Sequence, residues 1–247
     1  MPDMMEFCAH AVAELTVRGQ LHGEPVVLVG SHARGTATAE SDVDLLVLGQ
    51  GPEYLLEVIG ERLVALSWRT PQEQRRRFAA PASAVAEVPA WRAGVVVQDA
   101  EGIAAGLRAQ ALAFTWKALA AQADEWVAEQ VTGLAEEAHK VAAALRTGRA
   151  RMAAVQRNVL VLRLPMVLAV HLGLLYDSEN EVWDLVAAAA GGAWADLQDA
   201  ALGLRDLPPD DACRAALALY RDAAARVGGL LDPRQAAVVA RAVALTG

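Results

Sequence analysis

Cysteine is almost absent from the 247-residue chain: Cys8 and Cys213 are the only two, at opposite ends, which excludes a disulfide framework and any cysteine metal-ligand pair. The pattern fits two reduced thiols on helices. Basic residues are outnumbered, 22 against 30 acidic ones, giving a net charge of -8. A field of that sign repels polyanions and argues against duplex nucleic acid as a partner, while leaving room for a local basic pocket that takes a nucleotide. Long hydrophobic runs are also missing. The longest, Leu164 to Tyr176, is broken by Pro165 and His171 and is too short to span a bilayer, so it reads as a core helix. "MPDMMEFCAHAVAEL" carries Asp3 and Glu6 and no basic region, unlike a secretory signal. A cytoplasmic protein without a membrane partner is expected, as a monomer or homodimer. No internal repeat is present, and the mildly simple stretch "AAAAGGAWA" reads as a turn between helices. What the chain does have is 55% hydrophobic residues, much of it alanine, against 21% charged, which excludes disorder and suits one large domain or two of ordinary size.

Patterning changes near residue 105. Before it, strand-like runs ("VVLVG", "VDLLVLG", "RLVALSW", "AGVVVQD") alternate with helix-like ones ("MEFCAHAVAELTVR", "PQEQRRRF"), and "EYLLEVIGE" reads as a short helix. From Gly102 onward the periodicity is helical, with breaks expected at Thr147-Gly148, Gly173, Gly191-Gly192, Pro208-Pro209, Gly228-Gly229 and Pro233. The expected fold class is α+β: a mixed α/β core over residues 1–105 and a helical bundle over 106–247, with a cleft between them.

Chemistry concentrates in "GSHARGTATAESDVDLLV". Side chains two apart in a strand share a face, so Asp42 and Asp44 project together while Val43 and Leu45 enter the core. Two carboxylates about 4 Å apart, at an effective dielectric near 20, repel by roughly 4 kcal/mol. A divalent cation turns that repulsion into coordination, and hard oxygen ligands suit Mg2+. Twelve positions upstream of Asp42, Gly30 ends an apolar strand and Ser31 is placed to cap a short helix. Backbone N–H groups in such a turn cradle phosphate oxygens, with the Arg34 guanidinium beside them.

The stretch "LVGSHARGTATAESDVDLLV" resembles the signature of the DNA polymerase beta-like nucleotidyltransferase superfamily, and within it the antibiotic nucleotidyltransferases that modify aminoglycosides or lincosamides. The resemblance, strongest over Val26–Leu48, implies a nucleotidyltransferase-type core and magnesium-dependent transfer of a nucleoside monophosphate from an NTP, ATP by expectation, to a hydroxyl of a small-molecule acceptor. It implies that Gly30 and Ser31 hold the triphosphate, that Arg34 and Ser41 lie near it, and that Asp42 and Asp44 bind metal. It also implies a third carboxylate on the following strand. There "ERLVALSW" offers Ala65 instead, with Glu61 and Asp99 as substitutes from elsewhere. The alternative function is therefore a degenerate nucleotide-binding or regulatory protein without turnover.

In the helical half, "GLAEEAHKVAAAL" brings Glu136, His139 and Lys140 near one face, with Glu137 about 100° round as a candidate general base. "YDSENEVWDL" suggests a cap at Asp177 or Ser178. His171 reads as a hydrogen-bonded core histidine and "RRRF" as a solvated helix end. Trp91, Trp116, Trp126 and Trp183 read as packing residues.

Overall fold

The computed structural model describes residues 2–245. Its chain divides into two compact units, Met1–Thr115 and Trp116–Gly247. In the first, α1 (Pro2–Val17) is followed by β1 (Val26–Val29), α2 (Gly30–Arg34), β2 (Val43–Leu48), β3 (Tyr54–Ile59), β4 (Arg62–Arg69), α3 (Pro71–Phe78), α4 (Pro81–Ala93), β5 (Val95–Gln98) and α5 (Ile103–Ala113). This is a mixed α/β core, as the sequence pattern predicts.

The five strands form one sheet in the order β3-β4-β2-β1-β5, in which only β2 and β4 run parallel. Alternation sorts the side chains. Val43, Leu45 and Val47 of β2 join Val64 and Leu66 of β4 in a core roofed by Cys8, Ala11 and Leu15 of α1. Asp44, Leu46 and Leu48 take the other face, where α4 packs on β1 and α3 on β4. Near the C-terminal ends of β2 and β4, the buried Glu87 carboxylate accepts from Arg69 Nη1 and Arg77 Nε, both at 2.6 Å, and from Gln74 Nε2 at 3.2 Å. The "RRRF" segment is thus more than a solvated helix end: Arg77 is held in this network and Phe78 is buried edge-on against Trp91, 6.0 Å between ring centroids.

The short helix expected over "EYLLEVIGE" is instead strand β3. Its exposure alternates residue by residue, and it pairs antiparallel with β4 from Tyr54↔Ser67 to Ile59↔Arg62. Gly60, at φ +60°, opens the two-residue turn between them, a position that wants glycine in a type II′ hairpin. Cross-strand pairing overrides whatever helical tendency six residues possess.

The second unit is helical: α6 (Ala120–Arg146), α7 (Ala150–Leu172), α8 (Val182–Ala190), α9 (Gly192–Leu202), α10 (Pro209–Val227) and α11 (Pro233–Val243), with breaks at the expected Gly and Pro sites and one more at Gly203, which ends α9 before the expected Pro208-Pro209 break. Among the described residues α7 alone is long and apolar enough to cross a membrane, and half of its most apolar window is buried within the fold. Pro165 lies inside α7 and has no N–H for the Val161 carbonyl four residues back. Trp183 of α8 supplies the missing donor, its indole Nε1 reaching that carbonyl at 3.2 Å. Gln198 of α9 then donates to the Trp183 carbonyl and accepts from Trp194. Cys213 is buried on α10, as Cys8 is on α1. Ser178 caps the turn before α8, as expected, accepting from the Asn180 N–H. His171 departs from expectation: its Nδ1 is buried with no hydrogen-bond partner among the described residues, and desolvation holds its pKa low.

Candidate active site

Register brings the sequence motif together. Val29 pairs with Asp44 across β1 and β2, so the chain leaving β1 passes directly over that carboxylate. Gly30 makes the passage possible. Its φ is +69°, and a Cβ on it would lie 2.0 Å from Asp44 Oδ2. No other residue type fits both constraints.

α2 follows at once and is terminated by Gly35 in the left-handed conformation, whose N–H returns to the Ser31 carbonyl. Ser31 is not the helix cap. The cap position falls on Val29, with no side-chain hydrogen bond, because Gly30 already begins the helical turn. Ser31, His32 and Arg34 are all half-buried in this single turn. The loop beyond is tied back to it: the Thr36 N–H donates to the Ser31 carbonyl at 3.0 Å, and His32 Nε2 lies 3.4 Å from the Ser41 carbonyl. Ser41 Oγ accepts from the Thr38 N–H at 2.9 Å, so this hydroxyl shapes the loop that delivers Asp42 to the start of β2.

The electrostatics follow from this packing. Burial and the neighbouring Asp42 charge raise the Asp44 pKa from 3.8 to about 6, against the opposing pull of Arg34. Burial and a like charge both disfavour the ionised carboxylate, and the guanidinium partly offsets them. Among the described residues no group of three or more His, Cys, Asp or Glu side chains forms a metal cage of its own.

Ala65 stands in parallel register with Asp44, on the same face of the sheet. Two of the substitutes for an acid there are placed elsewhere in the first unit. Glu61 occupies the β3–β4 turn, four residues upstream. Asp99 follows β5, near the end of β1 away from Asp44, and its Oδ2 accepts from the Ala105 N–H at 2.9 Å. Glu137 is on α6 of the second unit, 3.9 Å from Lys140 Nζ, whose nearer partner is Glu136 at 2.7 Å. Leu56 of β3 pairs with Ala65, a neighbour that the helix expected over "EYLLEVIGE" would not supply. The available signal was a glycine-led two-residue turn between apolar runs.

The site is thus a glycine turn laid over a carboxylate-bearing strand in a five-stranded mixed sheet. Residues 15–101 match the nucleotidyltransferase domain family. The fold resembles the crystal structure of a nucleotidyltransferase-like protein from Exiguobacterium sibiricum 255-15, with a TM-score of 0.55 and 16% identity over 90% of this chain and 78% of that one. No curated protein matches the chain. The stretch that matches this domain family is the mixed α/β core, and an all-helical bundle follows it.

Proposed function

We propose that the chain transfers a nucleoside monophosphate from an NTP, with ATP the first candidate, to a hydroxyl of a small-molecule acceptor, and that Mg2+ assists. One observation carries the reading: the Asp44 carboxylate lies directly against the Gly30 backbone, in the space a side chain there would fill, with the Asp42 charge near enough to raise its pKa. Two hard carboxylates fit Mg2+, which is commonly held by one or two carboxylates together with substrate phosphates and water rather than by an all-protein cage. Asp42 and Asp44 would hold it, and when bound it would neutralise charge on the phosphates.

The chain's own groups do the rest. The turn at Gly30 and Ser31 orients the triphosphate through backbone N–H groups, and Arg34 offsets its charge. The hairpin-like return through Ser41 fixes Asp42 relative to Asp44, so that the site needs little rearrangement on binding. An antibiotic belongs among the acceptors to be tried, on the strength of the motif resemblance alone.

The second reading, a nucleotide-binding protein without turnover, rests on Ala65 standing in register with Asp44. Calorimetric titration with ATP and magnesium, followed by a pyrophosphate-release assay across hydroxyl-bearing acceptors, separates the two. Binding with release supports transfer. Binding without release from any acceptor supports the second reading, and no binding with or without magnesium overturns both.

A further inference from the structure

The face of the sheet that carries Asp44 is not fully covered. At its β3 edge, Tyr54, Leu56 and Val58 are 57%, 46% and 61% exposed, and Leu63 at the start of β4 is 43% exposed. These four side chains share one face, because Tyr54 pairs with Ser67, Leu56 with Ala65 and Val58 with Leu63. That face is the one on which Ala65 stands beside Asp44. The register therefore writes two continuous rows. One runs Leu56, Ala65, Asp44; the other runs Val58, Leu63 and then Asp42, the residue preceding β2. With strands about 4.8 Å apart, the outer apolar side chains begin about 10 Å from the carboxylates.

The charge pattern sharpens the picture. Within β3 and β4 the only carboxylate is Glu57, and it lies on the opposite face, bonded to Gln20 at 2.7 Å and Arg18 at 3.2 Å. Ala65 itself is small and buried, so no polar group interrupts either row between the β3 edge and the aspartates. A polycationic acceptor would find counter-charge only at the ends of the shelf, at Asp42 and Asp44 and at Glu53 and Glu73 beside Tyr54, and none along it. An apolar ring would find a shelf of matching chemistry, as in ligand sites lined by hydrophobic side chains with a few polar groups at one end.

We infer that this shelf, Tyr54, Leu56, Val58 and Leu63, binds the body of the acceptor, and that the acceptor is a hydroxyl-bearing molecule with an apolar ring system about 10 Å long. The inference rests on the transfer reading for the word acceptor; the apolar site itself rests on register and exposure. Its continuity with the carboxylate pair favours a small molecule over a second copy of the chain, which would pair along the unpaired backbone edge of β3 instead.

The test uses the full chain and 1-anilinonaphthalene-8-sulfonate as a fluorescent apolar probe. Wild type is expected to bind it saturably at one site, and Leu56→Glu and Val58→Glu each to weaken binding at least ten-fold while keeping wild-type circular dichroism. Tyr54→Ser serves if either glutamate variant misfolds. 2-(2-Naphthyl)ethanol is expected to displace the probe, and kanamycin to leave it in place. Unchanged probe affinity in all three variants overturns the inference. Displacement by kanamycin does so as well, as does a wild-type dimer in sedimentation velocity that Val58→Glu converts to monomer. Titration with magnesium and ATP on the same samples keeps the two readings apart. Probe binding lost in the variants, with no ATP uptake by wild type, supports the apolar site and overturns transfer; normal ATP uptake with probe binding unaffected by the substitutions does the reverse.

Discussion

At Gly30 a single hydrogen atom decides whether the site exists. Replacing it by a methyl in Gly30→Ala would combine a positive φ with a contact of 2.0 Å to Asp44 Oδ2. The expected cost is about 1–3 kcal/mol, read as a lower denaturant midpoint, together with loss of magnesium-dependent ATP binding in calorimetry. Asp44 carries the complementary strain. Its pKa in the folded chain, about 6, is above the unfolded value of 3.8, so ionising it opposes folding. The penalty is absent below about pH 4, grows between pH 4 and 6 and is complete above that. Asp44→Asn is therefore expected to raise the Tm of the metal-free protein at pH 7.5 and leave it unchanged at pH 4, while abolishing binding of ATP with magnesium. Equal Tm changes at both pH values would mean that the carboxylate is not the source of the strain.

Between elements, the informative device is the repair of a broken helix. Pro165 leaves the Val161 carbonyl of α7 without its intrahelical donor, and Trp183 of α8 fills the gap at 3.2 Å. Trp183→Phe should cost about 1–3 kcal/mol, because it strands a buried acceptor. In a Pro165→Ala background, which restores the N–H at position 165, the same substitution should cost measurably less. Urea denaturation of the four proteins in this double-mutant cycle gives the coupling; additive effects would show that the indole bond does not depend on the proline. Nothing in the sequence links positions 161 and 183, since such a bond arises only from packing. β3 failed for a related reason: Tyr54–Ile59 gains its conformation from Ser67–Arg62 across the hairpin, and a window read alone cannot see its partner. By contrast α3 was legible to the residue, because Thr70, Pro71 and Glu73 form a capping box with proline at the first helical position.

For the molecule as a whole, the change from alternating to helical pattern gave the fold class, because it lies in the periodicity of long segments. Strand parity sufficed to put Asp42, Asp44 and Ala65 on one face of the sheet. That Leu56 stands beside Ala65 depends on which strands pair, and parity alone does not give it. The chain also holds one thiol in each compact unit, Cys8 in the sheet-and-helix core and Cys213 on α10, both buried. Desolvation raises the pKa of each thiol, that of Cys8 to about 11, so neither presents a reactive thiolate at pH 8. Native protein should resist iodoacetamide at both positions. Under increasing urea, peptide mass spectrometry after brief alkylation should show each cysteine becoming modified as its own unit opens. Full modification of either one without denaturant would contradict the packing described. The near-absence of cysteine thus equips the protein with two separately addressable gauges of melting, one per unit, and binding of ATP should delay the signal from Cys8 alone if the nucleotide is held entirely by the unit that contains Asp44.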